Sequence, residues 1–245
     1  MRLPRAVLAI LLAGLLLPNP PLTGATHSEG RDVRLLPRDR MRAVVYVALG
    51  DSGASGTGAS RPELGYAGRV YARLKDLYPA ARMVNLAVRG ADSLYVLNYE
   101  GPRAADLRPD LVTLSFGGKD VLLQKDVRQF ERHVETIFRT LNAKTGAVIV
   151  MNRIGDMGLW PGYVALYKGG GEAAATELSA QVVRFNEALE RLAHVHGVEL
   201  VGGGEERRYM SRAKELIARD GLHPSDEGHA IWAEIVWGGV KARLP

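Results

Sequence analysis

Short apolar runs alternate with segments of helical periodicity from residue 43 to the end of the chain. Several of the runs are rich in β-branched residues and stop at a glycine or a polar residue, which is typical of strands buried on both faces. This pattern predicts five strands: Ala43–Leu49, Met83–Ala87, Leu111–Phe116, Ala147–Met151 and Val198–Val201.

Between these strands, apolar side chains recur every three or four positions, which predicts amphipathic helices. The predicted helices cover Leu64–Leu77, Val127–Leu141 and Leu178–Val195, and a last one begins near Ser225. Strands that alternate with helices favour the α/β class, and right-handed crossovers then give a three-layer αβα sandwich. Ligands of such sheets bind beyond the carboxyl ends of the strands, so the residues there are the candidates for chemistry.

The N-terminus has the features of a secretory signal peptide. Arg2 and Arg5 precede the apolar run Ala6–Leu17, and small residues end at Ala25. This run is shorter than the roughly 20 residues that span a membrane, so we expect cleavage after Ala25 and no stable membrane insertion of the product. An uncleaved anchor or a buried helix is the alternative. We thus divide the chain into a signal peptide (1–25), a polar linker (26–42) and one domain (43–245), and expect a secreted monomer.

Composition removes several classes of function. The 245 residues are 47% hydrophobic, which excludes wholesale disorder. The formal charge of +5 includes two arginines of the predicted signal peptide and shows no basic cluster, so we expect no nucleic-acid partner. The chain has no cysteine, which excludes a disulfide scaffold, a thiol nucleophile and Cys-ligated metal sites.

Candidate catalytic residues follow the predicted strands. Ser52 stands after the first strand and is flanked by Gly53, and His223 precedes the last helix with Asp220 three positions before it. Acyl transfer needs a nucleophile, a base, a group that orients the base and donors for the oxyanion. Ser52, His223 and Asp220 fit the first three roles, and the backbone N–H groups of Ser52 and Gly90 fit the fourth.

These residues, in this order, resemble the SGNH (GDSL) hydrolase superfamily and its secreted bacterial esterases and lipases. Gly50-Asp51-Ser52 looks like its first block, Gly90 like the glycine of the second, and Asp220-x-x-His223-Pro224 like the fifth. The resemblance implies a flavodoxin-like five-stranded parallel sheet and a carboxylic ester hydrolase that also accepts thioesters. It implies catalysis through an acyl-enzyme without metal or organic cofactor. Small-molecule, lipid and polysaccharide esters are the substrates it allows.

One block departs from the family pattern. The third block usually reads Gly-x-Asn-Asp, with the Asn amide in the oxyanion hole, but here it reads Gly117-Gly118-Lys119-Asp120. The Lys119 ammonium either reaches the oxyanion or turns to solvent and leaves two backbone donors. A further alternative is a protein that binds carbohydrate or cell envelope on a decayed hydrolase fold.

Competing interpretations of the same residues are weaker. The chain lacks the glycine spacing of a dinucleotide site, a phosphate loop or a Gly-x-Ser-x-Gly elbow. Ser55 is a rival nucleophile, and Asp51 is a rival partner for His223, although loop support by Asp51 is favoured. Asp226 and His229 complete a potential metal cluster with Asp220 and His223, but we expect helix roles for both. Four residues of a long loop are candidates for lining the cleft: Leu159, Trp160, Tyr163 and Tyr167.

Overall fold

A parallel sheet of five strands forms the centre of the molecule. The computed structural model describes residues 33–204 and 212–245, so the predicted signal peptide lies outside the described residues. The strands are β1 (Val45–Gly50), β2 (Arg82–Asn85), β3 (Leu111–Ser115), β4 (Val148–Asn152) and β5 (Glu199–Val201). Their order is β2-β1-β3-β4-β5, which is the flavodoxin-like order, and every neighbouring pair is parallel. The predicted fold class is therefore confirmed.

Helices connect the strands in the predicted places. In the described part of the chain they are α1 (Tyr66–Leu77), α2 (Ser93–Tyr95), α3 (Gly101–Asp106), α4 (Gly118–Leu122), α5 (Val127–Lys144), α6 (Pro161–Leu166), α7 (Gly171–His196), α8 (Ala213–Leu216) and α9 (Asp226–Lys241). A π-helical turn, Val96–Glu100, joins α2 to α3, and single 3₁₀ turns occur at Pro62–Leu64 and Met157–Leu159.

Two apolar cores flank the sheet because successive strand side chains point to opposite faces. Tyr46 and Ala48 of β1 pack with the buried stripes of α1 and α9. Val47 and Leu49 of the same strand pack on the other face, which α5 and α7 cover. The continuous apolar run of β1 is thus explained by burial on both faces, and the helices form the outer layers of the sandwich.

The segment 33–42, which the sequence analysis assigns to the linker, packs against the domain. Leu36 is 2% exposed, and its N–H donates to the Arg243 carbonyl at 2.9 Å. The Tyr78 hydroxyl donates to the Pro37 carbonyl at 2.6 Å. Across residues 33–204 and 212–245, none of the helices combines the length and apolar character needed to cross a bilayer.

The register of the sheet brings the candidate loops to one edge. Gly50 is the Cα partner of Ser115, and Asn152 is the partner of Val201. One further hydrogen bond, from the Asp51 N–H to the Ser115 carbonyl at 3.0 Å, continues the pairing past the end of β1. The loops after β1, β3, β4 and β5 therefore begin side by side.

Candidate active site

The loop that carries Ser52 leaves β1 through a turn that only glycine fits. Gly50 has φ +134°, and a Cβ there would lie 1.9 Å from the Ser115 carbonyl oxygen. The Asp51 carboxylate then accepts the Gly53 N–H at 2.9 Å, which is the loop role expected of it. Burial, together with repulsion from Asp120, outweighs this hydrogen bond and raises the pKa of Asp51 to about 7.

Ser52 is better placed than Ser55 to act as the nucleophile. The Ser55 hydroxyl is held inside the loop, where it donates to the Ser52 carbonyl at 2.9 Å and pairs with the Thr57 hydroxyl at 3.1 Å. Ser52 lies on the wall of a cavity that His223 also lines. Its hydroxyl has no hydrogen bond to the His223 imidazole or to any other group in the described part of the chain, and such contacts often tighten only when substrate enters.

Asp220 and His223 form a close pair in the turn before α9. Oδ2 of Asp220 lies 2.6 Å from Nδ1 of His223, and Oδ1 accepts the backbone N–H groups of Leu222 and His223 at 2.9 and 3.0 Å. Burial acts to raise the pKa of Asp220, but the hydrogen bonds from His223 and Leu222 prevail and lower it to about 2. Asp220 is therefore ionised at all ordinary pH values and fixes both the tautomer and the direction of the imidazole.

Two backbone donors are free at the edge of the site. Within the described ranges, the N–H groups of Ser52 and Gly90 have no acceptor among the hydrogen bonds of the protein. Gly90 has φ +73° and is exposed, and a Cβ there would meet no neighbouring atom. Its glycine is thus required by backbone conformation rather than by space.

The Lys119 side chain is exposed and extends towards the Gly90 loop. Its Nζ donates to the Gly90 carbonyl oxygen at 2.5 Å. The ammonium is therefore bound to the loop that carries one of the free N–H groups. Lys119 thus contacts the Gly90 loop through the carbonyl of Gly90.

Glu100 is an important residue of the site that the sequence analysis missed. It is 2% exposed, and its carboxylate accepts the Gly50 N–H at 2.7 Å and the Val88 N–H at 3.2 Å. It therefore joins the loop of Ser52 to the loop of Gly90. Burial raises the pKa of Glu100 to about 8 despite these two hydrogen bonds. No motif or periodicity marks this residue, because its role depends on the π-helical turn that ends with it.

A second buried network fixes the Gly90 loop from the other side. The Asp120 carboxylate accepts the Ser93 hydroxyl at 2.7 Å and the Ser93 N–H at 2.9 Å. Nδ1 of His133, on α5, lies 2.8 Å from the same hydroxyl and completes the network. Because Ser93 is fully buried, this Ser-His-Asp group is structural rather than a second nucleophile.

The alternative metal cluster is not formed. Asp226 accepts both the N–H and the hydroxyl of Ser60, at 2.7 and 2.6 Å. His229 is buried, with Nδ1 3.3 Å from the Tyr66 N–H nitrogen and Nε2 3.0 Å from the Thr57 carbonyl oxygen. Residues 33–204 and 212–245 contain no group of three or more acidic or His side chains arranged to hold a metal ion. Asp226 and His229 instead attach α9 to the loop of Ser52.

The cavity beside Ser52 has a volume of about 230 Å³. Of the four loop residues predicted to line a cleft, Trp160 and Tyr163 do so, whereas Tyr167 is buried in the core and Leu159 is not part of the wall. Trp232 of α9, Met157 and Ile154 also contribute to the wall. The wall is thus mainly apolar next to the candidate nucleophile.

The chain matches a known protein family. The family described as GDSL-like lipase/acylhydrolase matches residues 48–231, which include the candidate residues Ser52, Gly90, Lys119, Asp220 and His223. A comparison with curated protein sequences gives no match.

Solved structures with the same fold include several esterases. The crystal structure of TesA is 22% identical with a TM-score of 0.63, covering 82% of this chain and 99% of that one. The acetylxylan esterase Axe2 from Geobacillus stearothermophilus is 18% identical with a TM-score of 0.61, covering 82% and 96%. The psychrotrophic esterase EstA from Pseudoalteromonas sp. is 16% identical with a TM-score of 0.59, covering 81% and 97%. At these identities the likeness concerns the fold.

Proposed function

Because the chain belongs to the GDSL-like lipase/acylhydrolase family, we propose that it hydrolyses carboxylic esters through an acyl-enzyme on Ser52. The observation that carries this proposal is the pair formed by Asp220 and His223, with 2.6 Å between Oδ2 and Nδ1. His223 of this pair lines the same cavity as Ser52. Nucleophilic catalysis by serine requires such an oriented base.

In the proposed reaction, His223 takes the hydroxyl proton of Ser52 while Oγ attacks the ester carbonyl carbon. The oxyanion accepts hydrogen bonds from the free N–H groups of Ser52 and Gly90. The C–O bond of the ester then breaks as the imidazolium returns its proton to the leaving alcohol. Water, activated by His223, hydrolyses the acyl-enzyme. Asp220 remains a carboxylate and stabilises the imidazolium in both steps.

Lys119 has a positioning role in this mechanism. Its hydrogen bond to the Gly90 carbonyl oxygen restrains the backbone of Gly90. The Gly90 N–H is thereby held in the direction of the oxyanion. The family's amide donor is absent at this position. An oxyanion donor contributes about 10²- to 10³-fold to kcat, so we expect slower turnover than with the full set of donors.

We also propose that the enzyme is exported and acts as a monomer. Export rests on the basic start, the apolar run and the small residues before Ala25. N-terminal sequencing of the protein from the culture medium tests it. A mature chain that begins at Thr26 supports export, and an intact Met1 in a cell-bound protein contradicts it.

Turnover of short p-nitrophenyl esters tests the enzymatic proposal. We expect the wild type to hydrolyse them, the Ser52→Ala variant to lose this activity and the matched Ser55→Ala variant to keep it. An alkyl phosphonate probe should label Ser52 in the wild type only. Absence of turnover and label, together with binding of a glycan, would support the binding protein instead.

A further inference from the structure

The cavity beside Ser52 is elongated along the carboxyl edge of the sheet. Its lining begins at Ser52 after β1, continues past Phe116 after β3 and Ile154 after β4, and ends at Gly202 and Gly203 after β5. Neighbouring strands are about 4.8 Å apart, so three strand spacings give a length of roughly 14 Å. The cavity is therefore much longer than an acetyl group.

The deep part of this cavity offers few free polar groups. Aliphatic and aromatic side chains of α9 and the loop after β4 form most of its wall: Ile154, Met157, Trp160, Ile231, Trp232 and Ile235. Asn152, which also lines it, is already engaged, since its Oδ1 accepts the Trp232 indole N–H at 2.7 Å and its Nδ2 donates to the Leu114 carbonyl at 3.3 Å. Besides Arg153, the Tyr163 hydroxyl and the Trp160 indole N–H are the polar side-chain groups that the loop after β4 adds to the lining. A sugar hydroxyl therefore finds few partners here, whereas burial of methylene groups is favoured.

Arg153 forms the far wall. Its side chain lies against Gly203, where a Cβ would be only 2.5 Å from Cδ of Arg153. The guanidinium donates to the Gly202 carbonyl at 2.9 Å and pairs with Glu190 at 3.1 Å. Its charge is thus paired at the end of the cavity, by a carbonyl of the lining and by a carboxylate beyond it, and its stem connects the end of β4 to the loop after β5.

A wider, open groove lies beyond Arg153. Both the groove and the cavity are lined by Arg153, Ile154, Gly202, Gly203 and Ile235. The groove continues between α7 and α9 and includes acidic residues such as Glu190 and Glu234. Arg153 therefore separates an apolar space that reaches Ser52 from a polar one that is open to solvent.

We propose that this cavity binds the aliphatic acyl chain of the substrate and that Arg153 sets the greatest chain length. This inference rests on the proposed ester hydrolysis and specifies its substrate class as esters of medium-chain aliphatic acids. An extended chain covers roughly 1.2 Å per backbone bond, so 14 Å accommodates about 12 carbon atoms. Acetylated polysaccharides, whose acyl group is a single methyl, would leave the space empty.

Hydrolysis of a p-nitrophenyl ester series from two to 16 carbons tests the inference, with each ester below its micellar concentration. For the wild type, kcat/KM should rise by up to about fourfold per methylene and decline beyond about 12 carbons. Arg153→Ala should move the decline to longer chains because it opens the end of the cavity. Arg191→Ala is the matched control, since Arg191 pairs with Glu131 away from both spaces and its loss should leave the profile unchanged.

Ile235→Trp is a second variant that does not depend on the stability of Arg153→Ala. It fills the cavity from α9 and should move the decline to shorter chains. Two outcomes overturn the chain-length inference but leave ester hydrolysis intact. One is activity that is highest on acetyl esters and acetylated xylan. The other is a decline at the same chain length in the wild type and in whichever cavity variant folds. Absence of turnover on every ester, with no phosphonate label on Ser52, overturns the proposed function itself.

Discussion

Lys119 stands at the position where the family pattern has an Asn, and its side chain makes a different contact from that of an amide donor in the oxyanion hole. The Lys119 ammonium donates to the Gly90 carbonyl at 2.5 Å, so it acts on the loop of the oxyanion donor. A lysine reaches this carbonyl through its long side chain, which the compact Asn amide lacks. The sequence leaves two alternatives for Lys119, at the oxyanion or in solvent. In the structure its exposed side chain contacts the Gly90 carbonyl.

Lys119→Ala tests this support. Without the ammonium, the Gly90 peptide is less well fixed, and misplacement of a donor lowers kcat by up to about 10²-fold with a smaller effect on KM. Steady-state kinetics on one ester measure both values. Lys75→Ala, which removes an exposed lysine of α1, is the control. An unchanged kcat in Lys119→Ala would show that Gly90 needs no such support.

Glu100→Gln tests the link between the two donor loops. A Gln side chain has one acceptor oxygen for two N–H groups. Either the Gly50 N–H loses its partner, or the Val88 N–H faces an amide N–H and keeps only its bond to the Gly50 carbonyl at 3.0 Å. A buried unsatisfied donor costs about 1–3 kcal/mol of unfolding free energy. Urea unfolding measures this loss, and Glu135→Gln on the exposed face of α5 should show none. Equal stability of the two variants would contradict the assigned role.

The extent to which the site follows from sequence depends on how local each interaction is. Asp220 and His223 are three positions apart, and Ser52 follows a strand end, so spacing and order suffice to find them. Glu100 acts on Gly50 and Val88, which belong to different strand loops. Only the pairing of β1 with β2 brings those loops together, and no sequence pattern records it.

At the level of elements, the strands and long helices follow from periodicity, whereas the short turns do not. The predicted strands agree with β1 to β5 within two residues at each end. The π-helical turn Val96–Glu100 lies in a segment for which the sequence analysis predicts no element. Such turns depend on tertiary packing, which explains why the position of Glu100 was not predicted.

The N-cap of α9 connects helix stability to the catalytic turn. The Ser225 hydroxyl accepts the Gly228 N–H at 3.3 Å and donates to the Glu215 carbonyl at 2.5 Å. Ser225→Ala should cost about 1 kcal/mol of unfolding free energy, as expected for a lost N-cap. It should also lower kcat, since His223 lies two positions before the cap.

Asp126→Ala is the matched control for this cap. Asp126 caps α5 through the Gln129 N–H at 2.8 Å and lies away from the cavity of Ser52. We expect a similar loss of stability with unchanged kcat. If both variants lose activity in proportion to stability, the cap of α9 has no specific effect on His223.

Over the whole molecule, the chain places acidic groups in two opposite environments around one edge of the sheet. Asp220 is stabilised as a carboxylate by the hydrogen bonds of its turn, and its pKa is about 2. Asp51 and Glu100 lie where burial disfavours charge, and their pKa values are about 7 and 8. Burial of apolar side chains on both faces of the sheet offsets the unfavourable free energy of burying these two carboxyl groups.

These groups make stability depend on pH in a defined direction. Carboxyl groups of an unfolded chain titrate near pH 4, so between pH 4 and 8 the folded state binds more protons at Asp51 and Glu100 than the unfolded state does. Their contribution to unfolding free energy therefore falls as pH rises from about 4, and it levels off above about 7 for Asp51 and above about 8 for Glu100. Burial lowers the pKa values of His133 and His229, which has the opposite effect below about pH 6.5.

Urea unfolding between pH 6.5 and 8.5 isolates the effect of the two buried carboxyls. We expect the wild type to lose stability with rising pH in this window and Glu100→Gln to lose less, because its side chain does not titrate. The rate of ester hydrolysis should instead fall at acidic pH, since the proposed base His223 acts unprotonated. A wild-type stability that rises with pH across this window would contradict the assignment of Asp51 and Glu100 as buried acids that favour protonation.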